Sequence, residues 1–297
     1  MNYAHLFKYM INSLNKFLVC KTPLFLIFII LNGCAVNNKM MLGSEVVEIV
    51  LPLSFESQKR KIHENPNNQL FYLNASKSRI TYAYGILMEK GDRLMYSDYY
   101  KSRDYYAKSL DLFVISRNYL FNALEIKYEN FAQKMTNKEE IAFEKEDIDY
   151  LYWLSGSLAG SIQASQGDPQ YLIDLPNIKW LLENAITVDP NWENGTLSAA
   201  MMSVYLNDLS GDKNAQKTAL SYFDLAEKQS NGLNASIYVT LAENYAVSKQ
   251  DKKLFIELLD KAINIDVNKD KSLKQSNKLS QSRAKWLKSR VDDLFYM

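Results

Sequence analysis

The chain has 297 residues, a formal net charge of +1, and only 10 glycines, 6 prolines and 2 cysteines. This balanced charge gives no electrostatic signature of a nucleic-acid-binding surface. The scarcity of cysteine excludes a disulfide framework, so a folded domain has to be stabilised by packing.

The first 33 residues have the features of a secretory signal peptide. Three lysines precede an apolar run over residues 23–31, and no acid occurs before Glu45. The run is shorter than the roughly 20 residues that a membrane-spanning helix needs. We therefore exclude residues 1–33 from the fold. Met10 is an alternative start that would leave a signal of ordinary length.

The sequence Leu31-Asn32-Gly33-Cys34 resembles the lipobox of bacterial lipoproteins. In a lipobox the cysteine becomes the first mature residue, and its thiol carries a diacylglycerol that anchors the protein to a bilayer. The sequence thus predicts lipidation at Cys34, the alternative being an ordinary thiol. Ala35 follows instead of aspartate, which favours the outer membrane, facing the periplasm, over the inner one.

Residues 34–45 are predicted to be a lipidated tether, and residues 46–297 a single all-helical domain. Apolar residues recur at helical spacing through most of the domain, and few segments alternate as strands do. One helix is predicted to start near Leu70 and to end near Gly91. Residues 96–131 read as one long helix or two.

An acidic segment, "EKEDIDY" over 144–150, precedes a helix that contains Tyr152 and Trp153. Acidic side chains at a helix start interact favourably with the helix dipole, and Asp147 is predicted to be the N-cap. A calcium or partner contact is the alternative, although the segment lacks the pattern of an EF-hand.

Turn-forming residues divide the C-terminal half into short helices. The predicted boundaries are a stop at Gly167, a cap at Asp168 with Pro169 in the first turn, a loop over 188–195, a stop at Gly211 and a cap at Asn234.

Three helices of this half carry a large apolar residue followed three positions later by alanine. The pairs are Leu182 and Ala185, Phe223 and Ala226, and Leu259 and Ala262, and the alanines are 41 and 36 residues apart. Each of these helices follows another that has its own small residue, namely Ala159, Ala199 and Ala242. Small residues where two helices cross are typical of tetratricopeptide (TPR) hairpins. We therefore predict a TPR-like α-solenoid bundle, against the alternative of chance spacing in an ordinary helical protein.

A C-terminal helix is predicted over residues 276–295, where it would cap the stack of hairpins. Its apolar stripe is Leu279, Ala284, Leu287, Val291 and Leu294.

Residues suited to catalysis are scarce after the signal peptide. His63 is the single histidine there, which excludes a multi-histidine metal site, and no glycine-rich phosphate-binding pattern occurs. We predict that the protein is not an enzyme and needs no cofactor or metal. An envelope hydrolase that uses Glu144 and Asp149 is the least favoured hypothesis.

Large aromatic residues are more numerous than simple helix packing requires. One interpretation is a channel between paired helices, with aromatic side chains that bind an apolar ligand. The candidate ligand-binding residues are Tyr82, Tyr84, Tyr152 and Trp153. The alternative is that these side chains fill the core.

The order of these segments resembles the T-component (TatT) family of tripartite ATP-independent periplasmic (TRAP) transporters. The segments that carry the resemblance are residues 147–197, "QSRAKWLKSRVDDLF" at 281–295 and "TYAYGIL" at 81–87. The lipobox fits as well, and the resemblance covers essentially all of the chain after the signal peptide.

This resemblance implies a TPR-like periplasmic lipoprotein that is acylated at Cys34 and has a pore or groove through each protomer. It also implies a homotrimer, association with the periplasmic solute-binding (P) component, and a hydrophobic ligand. No nucleic-acid partner is expected. The alternative function is that of a generic TPR-like lipoprotein for protein–protein interaction or assembly in the envelope.

Overall fold

The computed structural model describes residues 44–208 and 211–296. The predicted signal peptide over 1–33, the acylation site Cys34 and most of the predicted tether lie outside these residues. Every regular element within the described ranges is a helix, which confirms the all-α prediction.

The described N-terminal half is built around one composite helical rod and one long helix. The elements are α1 (Ser44–Glu64), α2 (Gln69–Tyr82), a π-helical segment (Ala83–Met88), α3 (Glu89–Leu94), α4 (Tyr99–Lys127) and α5 (Phe131–Asn137). The residues that join α2, the π-helical segment and α3 keep helical backbone angles, so the three form one continuous rod. Asp98 accepts a hydrogen bond from the Lys101 amide at 3.1 Å and caps α4, which is one helix and not two.

The C-terminal half consists of shorter helices joined by tight turns. They are a 3-10 turn (Lys145–Asp147), α6 (Ile148–Ala164), α7 (Pro169–Leu172), α8 (Leu175–Val188), a 3-10 turn (Trp192–Gly195), α9 (Thr196–Leu206), α10 (Ala215–Gln229), α11 (Ala235–Leu241), a π-helical segment (Ala242–Ala246), α12 (Lys252–Asn264), α13 (Lys274–Lys288) and α14 (Val291–Leu294).

Helices that are close in the sequence pack in pairs, with α2 against α4, α6 against α8, α9 against α10, and α11 against α12. The first helix of each of the last three pairs is almost completely buried, because it contacts helices on several sides. None of the six alanines predicted at the crossings is more than 1% exposed: Ala159, Ala199, Ala242, Ala185, Ala226 and Ala262. The hairpin pairing agrees with the predicted architecture, while its description as a TPR-like repeat stays a prediction.

Two helix ends differ from the predictions. The rod continues past Gly91 to Leu94, because Gly91 is a contact point and not a terminator. A Cβ atom at Gly91 would lie 3.0 Å from the Tyr106 ring, so the missing side chain lets α4 approach closely. Helix α9 ends at Leu206, before the predicted stop at Gly211.

Asp147 occupies the predicted N-cap position of α6, but its side chain does not cap the helix. Its side chain makes no capping bond to α6 and instead accepts a hydrogen bond from the backbone amide of Glu144 at 2.7 Å, within the preceding 3-10 turn. The same carboxylate contacts Lys127 Nζ at 2.9 Å. The 3-10 turn therefore starts the helix one turn earlier than the sequence pattern indicated.

The other predicted caps are confirmed. Asp168 accepts from the Gln170 amide at 3.0 Å, Pro169 is the first residue of α7, and Gly167 has a φ of +97°. Asn234 accepts from the Ser236 amide at 3.0 Å at the start of α11.

The predicted C-terminal helix is divided at Ser289 and Arg290 into α13 and α14. Ala284 and Leu287 of its apolar stripe are buried; the other three stripe residues are half-buried. None of the helices in the described part of the chain is both long enough and apolar enough to cross a membrane.

Candidate functional site

The four candidate ligand-binding residues occupy two environments. Tyr84, Tyr152 and Trp153 are buried, and the Tyr84 hydroxyl donates a hydrogen bond to the Gly156 carbonyl of α6 at 3.1 Å. Tyr82 is half-buried and faces α1 instead, where its ring centroid lies 6.0 Å from that of Phe55. The structure thus places three of the four residues where the rod of α2 and the first π-helical segment meets α6, and leaves the fourth apart.

Polar side chains lie near Lys77 and Trp153, and we call Lys77, Asp149, Trp153 and Glu193 the Lys77 cluster. Lys77 Nζ contacts Asp149 Oδ1 at 2.7 Å and lies 5.7 Å from the centroid of the Trp153 ring. The indole N–H of Trp153 is buried and has no hydrogen-bond partner among the described residues. An unpaired buried donor costs free energy, so it is a place where a water or ligand acceptor would be favourable.

Glu193 enters this cluster from the 3-10 turn before α9. It has a φ of 49° and is followed by Asn194 with a φ of 53°, a left-handed conformation that is uncommon for residues other than glycine. Burial raises the pKa of Glu193 to about 7, with a further contribution from Asp149 and an opposing one from Lys77. The Lys77 cluster therefore combines a cation, two carboxyl groups and an indole N–H beside aromatic rings.

A second polar group lies deeper, and we call Glu89, Asp92, Glu243 and Arg283 the Arg283 cluster. Arg283 is 2% exposed. Its Nη1 donates to Asp92 Oδ2 at 2.5 Å and to Glu89 Oε1 at 2.9 Å, and its Nη2 donates to Glu243 Oε1 at 2.7 Å. The cluster joins α3 of the N-terminal half to the second π-helical segment and α13 of the C-terminal half.

Three carboxyl groups contact the guanidinium of Arg283, and one of them, Glu89, also pairs with Arg93 at 3.1 Å. Burial raises the pKa of Glu243 to about 7 and also raises the pKa of Asp92, while Arg283 lowers both. The hydroxyl of Tyr106 donates a hydrogen bond to Asp92 from α4. Because these two cations leave one of the three carboxyl groups without a balancing charge, the cluster has an affinity for protons near neutral pH.

The Arg283 cluster was missed by sequence reasoning, although a signal was present. Arg283 is four residues after Leu279 and four before Leu287, so it lies on the predicted apolar stripe of the C-terminal helix. A charged residue on a buried apolar stripe needs buried side chains of opposite charge as partners. Glu243 gives a similar signal because it interrupts the apolar sequence of α11 and the π-helical segment.

The remaining candidate residues are engaged in local contacts or exposed. Glu144 pairs with Lys127 at 2.7 Å, and His63 is exposed near the end of α1. No group of histidine, cysteine, aspartate and glutamate side chains suited to a metal ion occurs in residues 44–208 and 211–296.

Two surface hollows of about 550 and 580 Å³ are open to solvent, and neither includes a candidate ligand-binding residue. The first is formed mainly by α12 and the residues after it, from Glu257 to Lys269, together with Leu233. The second lies at residues 65–70 beside Tyr150. Predicted ligand binding at Tyr82, Tyr84, Tyr152 and Trp153 stays a prediction.

Comparison with known proteins gives two findings. A protein of Treponema pallidum (strain Nichols), described as an uncharacterized protein, is 20% identical over 258 residues, which is 84% of this chain and 80% of that protein. The sequence model of the family described as TRAP transporter T-component matches residues 44–295. This match spans all of the described helices, and the chain therefore belongs to the TRAP transporter T-component family.

Proposed function

We propose that the protein is a lipid-anchored periplasmic scaffold of a TRAP transport system, which binds the solute-binding component and a hydrophobic ligand. The observation that carries this proposal is the family match over residues 44–295. The matched residues include both polar clusters and every helix pair. The family is described as a transporter component and not as an enzyme, which agrees with a non-catalytic role.

The proposed anchor is Cys34, in the outer membrane and facing the periplasm. It is supported by the lipobox-like sequence and by Ala35 after the cysteine. The full chain with Cys34→Ser should lose incorporation of labelled palmitate and leave the membrane fraction. A variant that still labels and stays in that fraction would contradict the anchor.

The proposed ligand site lies where α2, the first π-helical segment and α6 meet the turn at Glu193. Tyr84, Tyr152 and Trp153 supply apolar surface there, while the indole N–H and Lys77 are donors for a polar head group. Such a set of groups suits an amphipathic molecule with one hydrogen-bond-accepting end.

A matched pair of substitutions tests this ligand site. Trp153→Phe keeps an aromatic ring but removes the N–H donor, whereas Trp180→Phe changes a tryptophan that packs against Phe131 and Phe143. Mass spectrometry of molecules that copurify with the protein should show a loss in the Trp153 variant only. Equal amounts in the wild type and both variants would refute the site.

The partner proposal is tested by affinity purification of the chain from native envelope extract. Recovery of a periplasmic solute-binding protein, with a complex mass that fits three copies of this chain, would support the transporter role and the homotrimer. Recovery of envelope-assembly proteins instead would favour the generic scaffold.

A further inference from the structure

Helix α1 presents apolar side chains to solvent close to its beginning. Ile49 is 65% exposed, Val50 is 44% exposed and Leu53 is 75% exposed. Ile49 and Leu53 are four residues apart and therefore lie on the same side of the helix. Exposed aliphatic residues that are grouped in this way mark an interaction surface more often than single ones do.

The other side of α1 is fixed to the bundle. Arg79 of α2 donates to the Phe55 carbonyl at 3.0 Å and to Gln58 Oε1 at 2.8 Å. The guanidinium of Arg79 also lies 4.5 Å from the centroid of the Phe55 ring. These contacts hold α1 in one orientation, so that Ile49 and Leu53 point away from the bundle.

The exposed apolar residues lie near the proposed acylation site. Ser44, the first residue of α1, is ten positions after Cys34. A fully extended segment of that length spans at most about 35 Å, at ~3.3–3.6 Å per residue. An acyl chain at Cys34 would thus keep the start of α1 close to a bilayer.

The end of α1 adds positive charge. Lys59, Arg60 and Lys61 are exposed, and Arg60 is seven residues after Leu53 on the same side of the helix. Glu56 and Glu64 are exposed as well, so three basic side chains accompany two acidic ones over residues 56–64. Apolar and basic residues on the outer side of one helix are typical of helices that lie in a membrane interface.

We infer that the exposed side of α1, formed by Ile49, Val50 and Leu53, lies against the phospholipid surface, with Lys59–Lys61 near lipid phosphates. The inference depends on the proposed lipid anchor only for the nearness of the membrane. The anchor and the α1 contact would then be two weak attachments that act together, and they would orient the bundle relative to the bilayer.

The test uses the chain from Ala35 to the C-terminus, which retains every described helix and lacks the acylated cysteine. Flotation with vesicles of phosphatidylethanolamine and phosphatidylglycerol measures its partition between lipid and water. The variant with Ile49→Gln and Leu53→Gln replaces both side chains with a good helix former. Ile173→Gln is the control, because Ile173 is 74% exposed at the end of α7.

We expect the unlipidated chain to float with the vesicles and the double variant to partition at least about tenfold less, since two apolar side chains no longer enter the interface. The Ile173 variant should behave as the wild type does. Failure of the wild type to float, or equal flotation of the double variant, would overturn the inference. So would a change in the sedimenting mass of the double variant without a change in flotation, because α1 would then contact another copy. None of these results depends on Cys34, so palmitate labelling tests the anchor separately.

Discussion

Replacing Glu243 with glutamine tests the charge balance of the Arg283 cluster. Burial raises the pKa of Glu243 from its ordinary value of 4.5 to about 7. A group with a higher pKa in the folded state than in the unfolded state binds more protons when folded. Its contribution to stability is therefore complete below about pH 4.5 and is lost as the pH rises through about 7.

The size of the effect follows from the same two pKa values. A difference of about 2.5 between them corresponds to about 3 kcal/mol of unfolding free energy, at ~1.4 kcal/mol per unit. The other groups that face Glu243 are Glu89 and Asp92 from α3 and Arg283 from α13. The raised pKa of Asp92 acts in the same direction, so the variant should keep part of the pH dependence.

Urea unfolding followed by circular dichroism, at several pH values from about 5 to about 8, measures this dependence. We expect the wild type to lose more stability than Glu243→Gln as the pH rises, by up to about 3 kcal/mol. The control is Glu257→Gln on α12, where an exposed carboxylate lies 3.9 Å from Lys253. Parallel profiles for the wild type and Glu243→Gln would refute the charge argument.

Three further predictions are checked by the same unfolding measurement. Arg283→Met should destabilise the protein by about 3–5 kcal/mol at neutral pH, because it leaves buried carboxylates without their cation. Gly160→Ala should cost about 1–3 kcal/mol, since the new Cβ would clash with the Phe113 ring. Asp147→Asn should cost about 1–3 kcal/mol, because it weakens the bonds of this buried side chain to the amide of Glu144 and to Lys127. The control Asp260→Asn, at an exposed ion pair, should cost less than about 1 kcal/mol.

Local sequence signals predicted the helix class and most of the turns, because the physical cause of each turn lies within a few residues. The cap at Asp168 needs only an aspartate before a proline, and the cap at Asn234 needs only an asparagine before a helical segment. The failures have distant causes. The local pattern predicts a helix stop at Gly91, because the contact of Gly91 with Tyr106 of α4 arises only from tertiary packing.

The candidate site was also predicted only in part, because some of its residues are brought together by distant contacts. The aromatic residues near α6 were chosen for their chemistry, but Lys77 and Glu193 were not, since they join Asp149 only through tertiary packing. The π-helical segments were also unpredicted. They interrupt the regular helical spacing at Ala83–Met88 and Ala242–Ala246, and both adjoin or contain members of the Arg283 cluster.

Burial of the charged groups of the Arg283 cluster costs folding free energy, and helix packing alone would not require it. Apolar residues of similar size in place of a buried ion cluster are often neutral or stabilising. This cluster instead connects Asp92 with Arg283, which is 191 residues later, and so joins the first rod to the last long helix. A guanidinium that donates to three carboxylates accepts few other arrangements, whereas apolar side chains would tolerate sliding of α13. We therefore interpret the cluster as fixing the register in which the C-terminal helix closes the bundle, at a stability cost that increases above neutral pH.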